Sequence, residues 1–480
     1  MSLEPNCVFC AKIPAASYEP CLDVHCPELP VWAEVTTALV ALRTLFVQAG
    51  LDHAHLGSPD WNPLGTIIHP GAKVVVKPNW VQHRNFSGHG LDCLVTHPSV
   101  IEALLHYVAR AHPARIVVGD APVQGCDFAA LMAACHVPEM IERFTAHNVN
   151  VLIKDFRRTV QPNAALGVRA QEDCRPIDEF ILYDLGPDSA LEAITAPNSE
   201  FRVTMYNPDV LQRTHGPGKH QYLIARDVIE ADVVLNVPKL KTHMKACITG
   251  ALKNVVGING HKEYLPHHRK GGLQSGGDCY PGQSRLQSLV EDLLDATNRA
   301  QGPIARRMLA NAARVGMACG KIVGMENNYE GSWHGNDTVW RMSLDLQRVL
   351  HYGRADGTLA NHVQRTVLTI TDAIIAGQGD GPLAPTPIKL GIMTLGVNTA
   401  AVEWVHALLM GLDPQRISLT REAFVPHRYP LTHFLPDAIV VQVDGRPVAT
   451  SELCAHYGCA FRAPRGWHGH CELGYPANVS

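Results

Sequence analysis

Short apolar runs alternate with amphipathic segments along most of this chain. Three of these runs are rich in valine, and their charged residues stand at or beyond their ends. They are residues 73–77, 115–118 and 233–237. Such runs are typical of strands that a parallel sheet buries on both faces. Residues 98–111, between the first two runs, have helical periodicity, which predicts a βαβ unit. The pattern therefore predicts an α/β fold, in which a mostly parallel sheet is flanked by helices.

The remaining segments extend this pattern toward the carboxyl terminus. We predict helices over 33–52, 286–318, 340–353 and 398–409, strands over 366–371 and 391–396, and a tight glycine loop over 377–382. Residues 436–480 hold a short apolar run, a turn and a tail rich in His and Cys. We divide the chain into an N-terminal arm with one helix (1–60), an α/β core (61–435) and a small C-terminal appendage (436–480).

Polar side chains follow three of the predicted strands. Lys77 and Asn79 come at the end of the first, and Asp120 at the end of the second. The third ends at Pro238, which has no N–H to continue a ladder, and we predict a tight polar loop over 239–254. Open α/β sheets bind ligands at the carboxyl ends of their strands. We therefore expect these three segments to meet at one edge of the sheet.

Two residues of the third segment are candidates for catalysis. His243 has an ordinary pKa near neutrality and suits a general base, whereas Lys253 would clamp an anion or, in a low-dielectric loop, act as a base itself. Residues that offer charge or hydrogen bonds to a substrate are Lys77, Asn79, Asp120, Lys241, Thr249, Asn254, His267 and His268. The alternative for any single lysine is an ordinary solvated side chain.

Two kinds of metal site are open from the sequence, with magnesium or zinc as the divalent cation. Carboxylates placed for a hard cation are Asp278, Asp372 and Asp380. A zinc site would use Cys454, Cys459, His470 and Cys471, with the Cys7-x-x-Cys10 pair as a further source of thiolates. The alternatives are aspartates that cap turns, ordinary thiols in a loosely ordered N-terminal arm and a disordered polar tail at the C-terminus.

Composition narrows the class of protein. The 480 residues are 46% hydrophobic and 18% charged, which fits a soluble globular protein of the size of an enzyme. The net charge of −4 gives no basic footprint for nucleic acid. We find no run of 18 apolar residues and no leader pattern, so we expect a cytoplasmic protein without a membrane partner. Its 14 cysteines are then expected as thiols or ligands. The oligomeric state is open, a homo-oligomer included.

Eight motifs together resemble one uncharacterised family, domain of unknown function 362. They are VVVKPNW, THPSVIEAL, RIVVGDAP, ADVVLNVPKLKTH, TGALKNVVG, GGDCYP, SWHGNDTVWRMSLDLQR and TDAIIAGQGDGPLAP, and they span roughly residues 70 to 415. The resemblance implies a fold more than a function. Some relatives carry ferredoxin-type clusters, but this chain lacks the C-x2-C-x2-C-x3-C run, so we expect no iron–sulfur cluster.

A more distant likeness is to lactate racemase, in which a Lys ten residues after a His holds a nickel-pincer cofactor. His243 and Lys253 have this separation, and His267 and His268 lie downstream. The racemase's serine-glycine-glycine turn, proline-glycine ending and early His are not reproduced. The likeness implies shared architecture without the pincer cofactor.

Three functions remain open at this point. The first is an enzyme that acts on a small anionic metabolite, a carboxylate or a phosphorylated compound, by His- and Lys-assisted chemistry with a divalent metal. The second is a redox or metal-cofactor protein that uses the Cys/His clusters. The third is a non-catalytic ligand-binding protein. No GxGxxG or GxxxxGK[ST] loop follows a predicted strand, which disfavours a standard nucleotide site.

Overall fold

A computed structural model describes residues 3–474, except Leu22, 162–170, 173–174, Met205 and 323–328. Its strands are β1 (Cys7–Lys12), β2 (Lys73–Pro78), β3 (Arg115–Asp120), β4 (Val151–Asp155), β5 (Thr159–Val160), β6 (Gln171–Glu172), β7 (Phe180–Asp184), β8 (Phe201–Arg202), β9 (His215–Gly216), β10 (Lys219–Ala225), β11 (Val233–Val237), β12 (Lys239–His243), β13 (Cys247–Thr249), β14 (His268–Arg269), β15 (Thr366–Asp380), β16 (Ala384–Gly396), β17 (Val440–Val443) and β18 (Arg446–Val448). Its α-helices are α1 (Thr37–Gln48), α2 (Pro98–Arg110), α3 (Phe128–Ala134), α4 (Val137–Ala146), α5 (Pro208–Thr214), α6 (Arg226–Ile229), α7 (Ala251–Asn254), α8 (Arg285–Arg299), α9 (Pro303–Ile322), α10 (Val339–Tyr352), α11 (Thr399–Leu409), α12 (Ser418–Arg421) and α13 (Thr450–Tyr457).

An 11-stranded mixed sheet forms the centre of this fold, in the order β18-β17-β1-β16-β15-β11-β2-β3-β4, with β12 paired to β15 and β13 paired to β12. The half from β15 to β4 is parallel throughout. Successive residues of β2 pack into different cores, Val75 into one and Val74 and Val76 into the other. Helices therefore cover both faces, and the predicted α/β fold with a mostly parallel sheet is confirmed.

The βαβ unit predicted at the first two strands is also present. β2 and β3 are parallel neighbours joined through α2. This helix begins at Pro98, whose missing N–H costs nothing at the first helical position, and the His97 side chain accepts a hydrogen bond from the Ser99 N–H. The carboxyl ends of β2, β3 and β11 consequently lie side by side at one edge of the sheet.

Both terminal segments contribute strands to the same sheet. β1 lies between β16, where Phe9 is opposite Leu395, and β17, where Val8 is opposite Val441. Its side chains are buried from Val8 to Ala11. Burial on both faces explains why this strand is a continuous apolar run without the polar alternation of a surface arm.

The segment after Pro238, predicted as a loop, is a strand. Pairing with β2 stops at Val237 and Pro78, but β12 continues along β15 with Lys239 opposite Asp372. The loop prediction was wrong because the missing N–H of Pro238 ends strand pairing on one side only, the side of β2. The Pro238 carbonyl still accepts from the Asp372 N–H at 2.9 Å.

The predicted glycine loop over 377–382 is mostly strand as well. β15 runs to Asp380 and forms a hairpin with β16. A Cβ added at Gly377 would lie 2.8 Å from the Lys241 Cβ and 2.9 Å from the Pro385 Cβ. Gly377 therefore marks the close approach of neighbouring strands. Glycine inside a sheet can indicate such an approach as well as a turn or loop.

Two predicted helices have different bounds in the structure. α1 begins at Thr37, four residues later than predicted, because the Thr36 hydroxyl caps it by accepting from the Leu39 N–H. The helix predicted over 286–318 is two helices, α8 and α9. Pro303 starts the second, as expected for a residue that cannot continue a preceding helix.

Candidate functional site

A cavity of about 410 Å³ opens where β2, β3, β12, β13 and α7 converge. The three chain segments that were expected to meet at this edge of the sheet do meet there. The sequence-predicted residues that line the cavity are Lys77, Asn79, Asp120, Lys241, His243, Thr249, Lys253, Asn254 and His267. Among the predicted catalytic and substrate-binding residues, only His268 lies outside the lining.

The Lys77 ammonium is fully engaged at the floor of the cavity. It lies 2.7 Å from Asp120 Oδ1 and donates to the Pro78 carbonyl at 2.7 Å and to Asn254 Oδ1 at 3.1 Å. An ammonium has three hydrogens, so these acceptors use all of them. Lys77 was predicted to bind substrate directly, but its contacts fix the floor instead.

Asp120 holds the ends of two strands together. Its Oδ2 accepts from the Trp80 N–H at 2.6 Å, and its Oδ1 accepts from the Ala121 N–H at 2.8 Å. A Cβ added at Gly257 would lie 1.8 Å from Oδ1, so only glycine fits above this carboxylate. Asp120 therefore organises the backbone around the cavity, and Lys77 neutralises it.

Asparagine side chains extend this network toward Lys241. Asn254 Nδ2 donates to Asn236 Oδ1 at 2.8 Å, and Asn79 Nδ2 donates to Asn254 Oδ1 at 2.9 Å. The Lys241 ammonium donates to Asn79 Oδ1 at 2.7 Å and to the Leu94 carbonyl. The hydrogen bonds of one asparagine fix the orientation of the next, so the network orients the Lys241 ammonium. It does not give Lys241 a carboxylate partner.

Among the described residues, two carboxylates line the cavity, and each is already paired with a lysine. Asp120 is paired with Lys77, and Glu330, at the other side, lies 3.4 Å from the Lys245 ammonium. The acidic groups of the lining thus offer no net negative charge to the other lysines.

Three lining lysines, Lys241, Lys253 and Lys262, form no ion pair with any residue that the structure describes. Lys262 donates to the Ala121 carbonyl at 2.9 Å. Burial lowers the pKa of Lys253 to about 7 and that of Lys262 to about 8, and it lowers the pKa of Lys241 well below its usual value. Lys262 and Glu330 were not singled out from the sequence, because only the folded loops bring them to this edge.

The two histidines of the lining differ in which ring nitrogen carries the proton. His243 Nδ1 accepts from the N–H groups of Lys245 at 3.0 Å and Ala246 at 3.2 Å, which leaves the proton on Nε2. His267 Nδ1 lies 2.7 Å from the Leu265 carbonyl and must donate to it, which leaves a lone pair on Nε2. Burial, reinforced by nearby lysines, lowers the pKa of both rings well below 6.5. This geometry favours a donor role for His243 over the predicted base.

Thr249 adds a hydroxyl that has no hydrogen-bond partner in the described part of the chain. Its side chain lines the cavity, the residue is 4% exposed, and Oγ1 lacks a hydrogen bond. Buried hydroxyls are nearly always satisfied, so an orphan one in a cavity wall is a position where a ligand atom is expected.

The upper walls are apolar with a few amides, and they come from loops that carry no sequence signal for a site. Their apolar members are Val81, Phe86, Pro122, Val123, Val203, Val256, Leu265, Pro382 and Leu383, and their polar members include Gln82, Gln124, Gln161 and Tyr206. A cationic floor under apolar walls suits a ligand with an anionic head and a less polar body.

The aspartates predicted for a hard cation are not brought together. Asp372 is fully buried, 2.5 Å from the Lys239 ammonium and 2.7 Å from the Tyr18 hydroxyl. Asp380 pairs with Arg465 at 2.6 Å. The two lie on one strand, eight residues or about 25 Å apart. The prediction that they share a cation was wrong because β15 continues where a loop was expected.

Asp278 also has a structural role. Its carboxylate accepts from the Thr338 hydroxyl at 2.6 Å, from the Asp337 N–H at 3.0 Å and from the Arg269 N–H at 2.5 Å. These bonds tie the start of α10 to β14.

The predicted zinc ligands near the carboxyl terminus lie apart as well. The His470 ring stacks on His334 at 3.5 Å, and Cys471 Sγ is 3.6 Å from the Trp467 carbonyl. Among the described residues, a single group of three or more His, Cys, Asp or Glu side chains has its ligand atoms within 4.8 Å, and none of Cys454, Cys459, His470 and Cys471 belongs to it.

The Cys7-x-x-Cys10 pair does not chelate either. Both cysteines are in β1, where side chains three residues apart point to opposite faces of the sheet. Cys10 is fully buried, and burial raises its pKa to about 12. No cysteine in the described part of the chain forms a disulfide.

A family model described as Domain of unknown function (DUF362) matches residues 74–183 and 181–407. The chain belongs to this family. The match runs from β2 to α11 and includes every sequence-predicted residue of the cavity. The resemblance drawn from the eight motifs is thus confirmed, and the likeness to lactate racemase stays a prediction.

Two similar proteins can be named beside the DUF362 match. The thylakoid-associated protein sll1697 of Synechocystis is 24% identical over 384 residues, which is 80% of this chain and 73% of that protein. A crystal structure of a Thermotoga maritima protein has 12% identity and a TM-score of 0.28 over 75% of this chain, which spans 57% of that protein's length. Among the described residues of the DUF362 chain, every helix is too short or too polar to cross a bilayer.

Proposed function

We propose that the cavity binds a small organic anion and that the protein is an enzyme that moves a proton on this anion through Lys253. One observation carries the proposal: Lys241, Lys253 and Lys262 line a single cavity without a carboxylate partner among the described residues. Buried cations are costly unless they are paired. An anion supplies the missing partner.

The hydrogen-bonding groups of the lining fit a carboxylate or a phosphate. Such groups only accept when ionised, and the lining offers donors: the lysine ammoniums, the Thr249 hydroxyl and the Nε2–H of His243. The cavity volume of about 410 Å³ is in the usual range for small-molecule sites. The apolar upper walls would cover the rest of the metabolite.

Lys253 is the group best suited to proton transfer. Its Nζ has no hydrogen-bond partner among the described residues, and burial lowers its pKa to about 7. Near neutral pH both protonation states are populated, which is the condition under which a base and its conjugate acid work best. His267 Nε2 would accept a hydrogen bond from the ligand and so orient it. The proposal gives no role to Asp372 and Asp380, because each carboxylate is already engaged elsewhere.

Proton transfer is tested by solvent deuterium incorporation. The protein is incubated in D₂O with a panel of small carboxylic acids that carry a hydrogen on carbon next to a carbonyl, and NMR follows that hydrogen. We expect incorporation by the wild type and by the control Lys389→Met, an exposed lysine on β16, and none by Lys253→Met.

Binding is measured in parallel by calorimetry with the same acids and with phosphorylated analogues. Binding by the wild type without any incorporation would favour the non-catalytic ligand-binding alternative. If neither carboxylates nor phosphates bind, the anion site itself is contradicted.

A further inference from the structure

A second cluster of polar side chains adjoins the cavity through His268, which follows the lining residue His267 in the chain. It consists of His268 in β14, Cys279 in the following loop and Glu291 in α8, which are 2%, 0% and 5% exposed. One ligand atom from each lies within 4.8 Å of the other two. These residues come from three separate elements, so their convergence is a product of the tertiary fold.

Two polar atoms at this cluster are buried without a hydrogen-bond partner among the residues that the structure describes. His268 Nδ1 has no hydrogen bond, although its residue is almost fully buried. The Tyr329 hydroxyl is also buried and unsatisfied, and it interacts electrostatically with Cys279 and Glu291. Unsatisfied buried polar atoms are rare, and a site for a bound ion is one of their common explanations.

We propose that His268, Cys279 and Glu291 bind one zinc ion. A nitrogen, a sulfur and a carboxylate oxygen form a donor set that zinc accepts, whereas magnesium and calcium take oxygen ligands. The thiol releases its proton to solvent on binding, and the thiolate and carboxylate then neutralise the divalent charge. Zinc–ligand bonds of about 2.0–2.3 Å place tetrahedral ligand atoms roughly 3.3–3.7 Å apart. The ligand atoms of the cluster lie within 4.8 Å of one another, so zinc needs at most a small inward movement.

Neighbouring groups already orient two of the ligands. The Gly271 N–H donates to both Glu291 oxygens at 3.0 and 3.2 Å, and the Tyr280 hydroxyl lies 3.2 Å from Oε2. The Gly331 N–H donates to the Cys279 sulfur. Supporting hydrogen bonds of this kind fix the direction of metal ligands in known sites.

Zinc at this position would connect β14, the loop after it and α8. His267, which precedes the first ligand, lines the anion cavity. The ion would therefore act as a structural clamp that holds one wall of the cavity, a role separate from the proton transfer proposed for Lys253.

The test measures metal binding by the full-length protein directly. The protein is stripped with a chelator, reloaded with Zn²⁺ or Co²⁺, and analysed by metal mass spectrometry and absorption spectroscopy. We expect Zn²⁺ loading that depends on Cys279, and a sulfur-to-cobalt charge-transfer band that Cys279→Ser abolishes. The matched control, Cys135→Ser, alters a buried cysteine outside the cluster and should keep both signals.

A second variant keeps the proposal testable if Cys279→Ser does not fold. Glu291→Gln retains the shape of the side chain and should weaken Zn²⁺ binding by about tenfold or more. Unchanged zinc affinity in a folded Glu291→Gln, or an unchanged charge-transfer band in a folded Cys279→Ser, would overturn the proposal. Zinc that is bound only through cysteines elsewhere in the chain would persist in both variants, and this result would also overturn the proposal.

Discussion

His243 and His267 use the same ring atom in opposite ways: Nδ1 of His243 accepts from the Lys245 N–H at 3.0 Å, whereas Nδ1 of His267 donates to the Leu265 carbonyl at 2.7 Å. Their Nε2 atoms are consequently one donor and one acceptor in a single cavity. A ligand that satisfies both must itself carry an acceptor and a donor, as an acid with a neighbouring hydroxyl or amino group does.

The donor role of His243 predicts the effect of a conservative change. In His243→Asn the amide oxygen can still accept from the backbone N–H groups, but the Nε2–H is lost. We expect anion affinity to fall by about tenfold, since one hydrogen bond to a charged group contributes roughly 1.5 kcal/mol. Calorimetry with the best acid of the panel measures this. An unchanged affinity would show that His243 does not reach the ligand.

The affinity for anions should depend on pH. The pKa of Lys253 is lowered to about 7 and that of Lys262 to about 8, so both lose their charge as pH rises through this range. An anion attracts the protonated lysines, and affinity should therefore fall between about pH 6 and pH 9, with proton uptake on binding in the upper part of that range. Calorimetry in two buffers of different ionisation enthalpy detects this uptake. Affinity that rises with pH would contradict the assignment.

Lys253→Met should make the ligand-free protein more stable. The folded-state pKa of Lys253 is about 7, below its ordinary value of 10.5, so between these pH values the unfolded chain binds more protons. The free energy of unfolding therefore rises with pH between about 7 and 10.5. At lower pH the buried, charged lysine destabilises the folded state. We expect Lys253→Met to raise the free energy of unfolding at pH 7 by roughly 1–3 kcal/mol.

Urea denaturation of Lys253→Met is compared with that of Lys389→Met, which replaces an exposed lysine and should change little. A lower stability of Lys253→Met relative to wild type would mean that this lysine has a stabilising partner. It would remove the argument that the lysine is kept for function.

Gly257→Ala should damage the floor of the cavity. The new Cβ would lie 1.8 Å from Asp120 Oδ1 and 2.7 Å from the Lys77 ammonium, so the ion pair must shift. Overpacking of this kind costs about 1–3 kcal/mol. The control is Gly90→Ala, where nothing lies within 4 Å of the added atom. Equal urea midpoints for the two variants would show that the floor adapts without cost.

The rule that ligands gather at strand ends was enough to place much of the cavity from the sequence. β2, β3 and β11 are adjacent and parallel, so Lys77, Asp120 and the segment after Pro238 had to share an edge. The roles of these residues were harder to predict. That Lys77 has no hydrogen left to donate depends on the position of Asn254, which only the folded chain defines.

Other parts of the site depend on register and tertiary packing. Asp372 is engaged by Lys239 because β12 continues along β15, and Pro238 had suggested that it would not. The cluster at His268 and Cys279 includes Glu291, which no sequence motif singles out although its helix was predicted. Local patterns could not reveal these contacts, because the partners are far apart along the chain.

The position of β1 has a consequence for biosynthesis. Its partners, β16 and β17, follow it by several hundred residues, with Phe9 opposite Leu395 and Val8 opposite Val441. Since the ribosome delivers the chain in order, this apolar strand must wait unpaired while nearly all the intervening polypeptide is made. Chaperones that cover exposed strand edges would therefore have a long interval in which to act on the nascent protein, and closure of the sheet would be among the last events of its folding.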